Sequence, residues 1–264
     1  MTSLFAPIAV IFYGIAAVVL VRRFIHHQET PSSGLPLILA GIGGTAHLLF
    51  LTQAIILAPG QNMSITNVLS LVAWLITAAL LVSAKVLPNR IMLPVVFTFA
   101  ALTVLASMLV PVNHIMHIEL HPGLVVHITL SLFAYGTLAI AFLYALQVSY
   151  ITFRLKQKGS SLLHSGLPPL TLVEGLMFRL LQIGTGLLVI SLISGFIFLD
   201  DMFSMQYAHK TVLSILALIL YIFILAGQTL RGWRSRQLIV MNIIGIVLLT
   251  LAYFGSRFVR EVLL

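Results

Sequence analysis

The sequence predicts an all-α fold, a polytopic membrane bundle of eight transmembrane helices, and three observations lead to this fold class. Hydrophobic residues make up 60% of the chain and charged residues only 8%, whereas about a quarter of the residues in a soluble domain are charged. The apolar residues collect in eight long runs that contain no Asp, Glu, Lys or Arg. The runs have about the length of 20 residues that a helix needs to cross the hydrocarbon core of a membrane.

The eight runs follow one another along the chain, mostly with short connections. They lie at residues 4–21, 35–57, 65–84, 91–112, 123–150, 180–199, 211–230 and 237–256. Because they account for most of the 264 residues, we expect a single integral membrane domain over residues 1–264. An internal division, if present, falls in the longest connection, residues 154–179. There the pattern after Pro168 and Pro169 predicts a short amphipathic helix at the membrane interface.

The basic residues indicate how the chain is oriented in the membrane. Eleven of the fourteen Lys and Arg residues lie in alternate connections. These are Arg22, Arg23, Lys85, Arg90, Arg154, Lys156, Lys158, Arg179, Arg231, Arg234 and Arg236. Because basic residues favour the cytoplasmic side, these connections are predicted to be cytoplasmic and both termini to be outside, although Arg257 and Arg260 oppose the rule. This placement explains the net charge of +8 without nucleic acid as a partner.

Two of the apolar runs contain a histidine well inside the run, His47 and His127. A polar side chain in the hydrocarbon core is costly and therefore marks a functional site by default. Neutral imidazole is a common ligand of metals and of haem iron, and the chain has no cysteine that could serve instead. The alternative for His47 is a core histidine bonded to a neighbouring hydroxyl or carbonyl. The alternative for His127 is an interfacial residue bonded to the outer loop.

The histidines are expected to lie at different depths in the membrane. At a rise of about 1.5 Å per residue, His47 lies roughly 15 Å and His127 roughly 7 Å below the outer ends of their helices. Two axial imidazoles each need a nitrogen about 2 Å from the iron, so we expect that His47 and His127 do not ligate the same iron. His209, at the outer end of the seventh helix, lies closer to the depth of His127. It is a candidate for the opposite face of an outer haem, with exposed surface as the alternative.

Other function classes are less well supported by the sequence. No span contains a carboxylate and no catalytic motif is present, so we expect neither catalytic residues nor an enzyme. A small-molecule transporter or channel with a histidine-lined path remains an alternative. A scaffold subunit with structural histidines is a third.

Four stretches of the chain, in order, resemble the cytochrome c assembly (CcsA/CcmC) family of haem-handling membrane proteins. They are His47-Leu-Leu-Phe-Leu51 with residues 67–74; Leu109-Val-Pro111 with His127, Ser131, Tyr135 and Gly136; Leu167-Pro-Pro-Leu170 with residues 179–195; and Lys210-Thr-Val-Leu-Ser214 with Gly232-Trp-Arg234 and Tyr253-Phe-Gly255. The similarity is closest to the YpjD/HemX-like branch of small bacterial inner-membrane proteins.

The resemblance implies a haem site or haem path near the outer face. His47 matches the family's histidine buried in a transmembrane helix, and His127 matches the outer histidine that acts as an axial ligand of haem iron. The function expected from the resemblance is haem binding or handling in the bacterial inner membrane, with haem b as cofactor. The expected role is to assist cytochrome maturation or haem homeostasis. The expected partners are the lipid bilayer, haem, and cytochrome maturation or haem-biosynthesis proteins.

The sequence also departs from the family pattern at three places. The tryptophan-rich outer segment of the family corresponds to residues 200–209, which contain no tryptophan. The tail after the last run has no histidine. Ala226-Gly227-Gln228 stands where a second buried histidine is expected.

The charge distribution generates a prediction about topology. Reporter fusions at the C-terminus should behave as periplasmic, and fusions beside Lys156 as cytoplasmic, because basic connections remain inside. A pair of reporters that are active on opposite sides of the membrane measures this directly. The reverse pattern would contradict the prediction and would also move His127 to the cytoplasmic side.

Overall fold

The computed structural model describes residues 4–25, 34–56, 60–110, 114–116, 122–156, 167–199, 208–233 and 236–255. The helices in these ranges are α1 (Phe5–Ile25), α2 (Leu35–Leu51), α3 (Ile65–Ser83), α4 (Leu93–Leu109), α5 (Pro122–Lys156), α6 (Leu170–Phe198), α7 (Ala208–Arg231) and α8 (Arg236–Thr250). Two π-helical segments, Thr52–Ile56 and Leu251–Gly255, continue α2 and α8. Two short strands, β1 (Gln61–Asn62) and β2 (Ile115–Met116), pair antiparallel.

The prediction of an all-α membrane protein is confirmed for the described part of the chain. Each apolar run of the sequence corresponds to one helix, and seven helices are long and apolar enough to span a membrane. The helix α4 is apolar but has only 17 residues. That all eight helices cross the membrane stays a prediction, as does the placement of both termini outside.

The separate interfacial helix expected after Pro168 and Pro169 is wrong. A single helix of 29 residues, α6, begins at Leu170 and continues to Phe198, so the sixth helix starts ten residues earlier than the apolar run. The two prolines stop helix formation before Leu170, and no proline follows them in the chain. Nothing with the strong helix-breaking effect of proline therefore interrupts α6.

The described residues form two compact units. In the first unit, α1 packs against α2 and α4, and α3 packs against α2 and α4. In the second unit, α5 packs along α6, α7 contacts α6 and α8, and α8 also contacts α5. His47 belongs to the first unit, and His127 and His209 belong to the second. The single membrane domain expected from the sequence stays a prediction.

A glycine determines how closely the two longest helices of the second unit approach. A Cβ atom at Gly184 of α6 would lie 2.7 Å from Cγ of Leu138 on α5 and 3.3 Å from the backbone nitrogen of Leu138. Small residues at membrane helix contacts allow backbones to approach in this way. Gly186, two residues further along, has no such neighbour within 4 Å.

These two glycines form a matched pair for a stability prediction. Gly184→Val should destabilise the protein by about 1–3 kcal/mol, because the added methyl groups overpack the contact with Leu138. Gly186→Val should change the stability by less than about 0.5 kcal/mol. Thermal unfolding of the purified variants in detergent measures both effects, and equal melting temperatures would contradict the close contact.

Candidate functional site

His127 lies near the beginning of α5, five residues after Pro122, and its ring is anchored to α6. The Nδ1 atom lies 2.9 Å from the carbonyl oxygen of Ser191 and 3.2 Å from Oγ of Ser194. A carbonyl oxygen can only accept a hydrogen bond, so Nδ1 must donate its proton. A neutral imidazole has one ring proton, and Nε2 of His127 is therefore left with a lone pair.

That lone pair has no partner among the described residues. Among the residues that the structure describes, none forms a hydrogen bond with Nε2 of His127. Histidines that ligate metals commonly donate the other ring proton to a backbone carbonyl or a carboxylate, which fixes the tautomer and the ring orientation. His127 thus has the orientation and the protonation state of a ligand.

The carbonyl that orients His127 is itself held in place. Ser194 Oγ donates to the same Ser191 carbonyl at 2.7 Å, and the hydroxyl groups of Ser191 and Ser131 lie 2.6 Å apart. Tyr253, in the π-helical continuation of α8, donates to the carbonyl of Ser131 at 3.1 Å. Three helices of the second unit are therefore connected by hydrogen bonds directly beside His127.

Aromatic residues lie on both sides of this network. Tyr135 follows His127 and Ser131 on the same face of α5, at successive spacings of four residues. Its hydroxyl lies 2.9 Å from Thr250 Oγ1, and its ring centroid lies 5.3 Å from that of Tyr253. On the other side, the Phe198 ring occupies the space where a Cβ atom of Gly123 would lie. The aromatic rings therefore border the hydrogen-bond network beside His127.

His47 has a different environment, in the interior of the first unit. It is fully buried, and its Nε2 lies 2.8 Å from Ser70 Oγ on α3. Its Nδ1 lies 3.5 Å from the hydroxyl of Tyr13 on α1, and the Tyr13 ring packs edge-on against the imidazole at 5.9 Å. Both ring nitrogens therefore have a protein partner.

The proton of the neutral His47 ring can be on either nitrogen, because the hydroxyl groups of Ser70 and Tyr13 can each donate or accept a hydrogen bond. An iron could reach Nε2 of His47 only after Ser70 was displaced. The role of His47 as a ligand stays a prediction.

The other histidines contribute less to a site in the described residues. His209 is the second residue of α7 and is exposed, and no hydrogen bond or ring contact joins it to His127 in the part of the chain that the structure describes. His114 pairs through its backbone with Asn62 and Met63. No group of three or more His, Cys, Asp or Glu residues is arranged to hold a metal ion in the described ranges. His26, His27, His117, His121 and His164 lie outside those ranges.

Comparison with known proteins gives a consistent set of relatives. The family model described as cytochrome C assembly protein matches residues 37–264. The inner membrane protein YpjD of Escherichia coli strain K12 is 42% identical over 204 residues, which cover 77% of each chain. A 28.8 kDa protein of Azospirillum brasilense is 31% identical over 140 residues, or 52% of each chain. No solved structure matches.

The environment of His47 leads to a prediction about stability. Ser70→Ala should lower the free energy of unfolding by about 1–2 kcal/mol, because it leaves a buried imidazole nitrogen without a partner. Ser107→Ala is the matched control, since that half-buried hydroxyl only donates to the Thr103 carbonyl of its own helix. Unfolding in mixed micelles measures both variants. Equal stability of the Ser70 variant and the wild type would contradict the bond to His47.

Proposed function

The chain belongs to the cytochrome c assembly protein family, and from this premise we propose that it binds haem b through His127 and assists cytochrome maturation or haem homeostasis. It is a multi-pass protein of the inner membrane, as its relative YpjD is named. The partners in this proposal are haem and the proteins of cytochrome maturation or haem biosynthesis. Haem, when bound, supplies an iron that accepts nitrogen ligands and changes its oxidation state.

The observation that supports the proposal most strongly is the tautomer of His127. The Ser191 carbonyl takes the proton of Nδ1, and Nε2 is left as an unprotonated donor atom of the kind that haem iron binds. The half-buried ring is neither sealed in the interior nor exposed on all sides. A ring with this exposure can be reached by haem from outside the helix pair.

His209 is our candidate for a second axial ligand of the same iron. It lies in the same unit as His127, at the first turn of α7, and it is exposed. His47 is the weaker candidate, because Ser70 and Tyr13 already engage both of its ring nitrogens. The burial of His47 and its bonds to Ser70 and Tyr13 also give no support to a transport path lined by this histidine.

Absorption spectra of the purified protein test the proposal. The wild type, as isolated or after addition of haemin, should show a Soret band that shifts on reduction, and His127→Ala should lose most of it. In His127→Gly, added imidazole should restore the band, because it can occupy the space of the missing side chain and supply the nitrogen. His114→Ala is the matched control and should keep the band.

The same spectra identify the second axial ligand of the iron. If His209 is the partner, His209→Ala should convert a six-coordinate low-spin haem into a five-coordinate one, whereas His47→Ala should not. If His47→Ala alone does so, the two buried histidines share one site. A wild type that stays colourless with haemin, while remaining monodisperse in detergent, would refute the proposed function.

A further inference from the structure

The second unit contains a cavity with several polar side chains in its lining, where α6 begins and α7 ends. The cavity has a volume of about 230 Å³ and is lined by Thr171, Glu174, Arg179 and Gln182 of α6 and by Gln228 of α7. The buried ring of Phe178 forms part of the wall. This cavity lies at the opposite end of α6 from Ser191 and Ser194, so it is separate from the site at His127.

The length of α6 places the cavity in the headgroup layer of the membrane. Its 29 residues extend for about 44 Å, whereas the hydrocarbon core is about 30 Å thick. The two charged residues of the helix, Glu174 and Arg179, both lie in its first ten residues. The excess length therefore projects from the membrane at this end, and the cavity lies at the level of the lipid phosphates and amines.

The cavity offers one carboxylate and one guanidinium group. Glu174 is the sole acidic residue in the described part of the chain, and it faces the same cavity as Arg179. The two side chains do not form an ion pair with each other in the structure. Gln182 and Gln228 add carboxamide donors and acceptors, and Thr171 adds a hydroxyl. A ligand that contains both an anion and an ammonium group matches this set.

We propose that this cavity binds the headgroup of a zwitterionic phospholipid with a primary amine, phosphatidylethanolamine. The phosphate accepts hydrogen bonds from the Arg179 guanidinium, whose planar donors suit phosphate oxygens, and from the carboxamide of Gln182. The ammonium group donates to the carboxylate of Glu174. We call this site the headgroup cavity.

The surface of α6 next to the headgroup cavity favours a lipid over a free amino acid. Gly186 and Ile190 follow Gln182 at spacings of four residues, so all three lie on one face of the helix. Among the described residues, no atom beyond the adjacent part of α6 lies within 4 Å of the position of a Cβ at Gly186, and Ile190 and Ile193 are exposed. An acyl chain can extend along this open apolar face into the membrane, whereas a soluble zwitterion would leave it unused.

Native mass spectrometry of the delipidated full-length protein tests the proposal by titration with three lipids of identical acyl chains. Phosphatidylethanolamine should bind about tenfold more tightly than phosphatidylcholine, whose methylated amine cannot donate to Glu174, and than phosphatidylglycerol. A tenfold change corresponds to about 1.4 kcal/mol, which is close to the lower limit for one hydrogen bond to a charged group. Soluble phosphoethanolamine, added at equal concentration, should not compete.

Two variants and a control test whether the preference for phosphatidylethanolamine arises at the headgroup cavity. Glu174→Gln should abolish the preference for the primary amine, and Arg179→Gln should weaken all three phospholipids about tenfold. Arg154→Gln, in the last turn of α5 at the same side of the membrane, is the matched control and should change nothing. Equal binding of the three lipids by the wild type would overturn the proposal, as would full competition by phosphoethanolamine. The titration of the wild type tests the proposal even if a variant fails to fold.

Discussion

The hydrogen bond between Nδ1 of His127 and the carbonyl of Ser191 is the constraint on which the proposed site depends. It determines the tautomer, the orientation of the ring and the availability of Nε2 at the same time. The bond in turn needs α6 to be close to α5, which Gly184 allows at Leu138. The packing of the two helices and the chemistry of His127 are therefore one property of the second unit.

The two buried histidines show that the same sequence signal can have different structural outcomes. Each lies within an apolar helix, and in each Nδ1 has a bonding partner. The difference is one hydroxyl group. Ser70 occupies Nε2 of His47, whereas no described residue occupies Nε2 of His127. In the first unit the histidine joins α1, α2 and α3 as part of the packed core. In the second unit it presents an unused nitrogen near the beginning of α5.

The positions of the helices could be predicted from the sequence because hydrophobicity is a local property that each run displays by itself. The beginning of α6 could not be predicted, because Glu174 and Arg179 interrupt the apolar pattern while the helix continues through them. The partners of His127 were also missed. Ser191 and Ser194 are 64 and 67 residues away in the chain, and Tyr253 is 122 residues from Ser131. No local pattern in the sequence connects these residues to a histidine.

Nitrogen-15 NMR of the haem-free protein in lipid bilayers tests the account most directly, because imidazole shifts distinguish a protonated nitrogen from a bare one. The difference spectrum between the wild type and His127→Gln isolates the signals of His127. The account predicts a protonated Nδ1 and an unprotonated Nε2 before any haem is added. A signal that shows the proton on Nε2 would contradict it, because the Ser191 carbonyl would then not accept a hydrogen bond from Nδ1 and Nε2 would have no lone pair for iron.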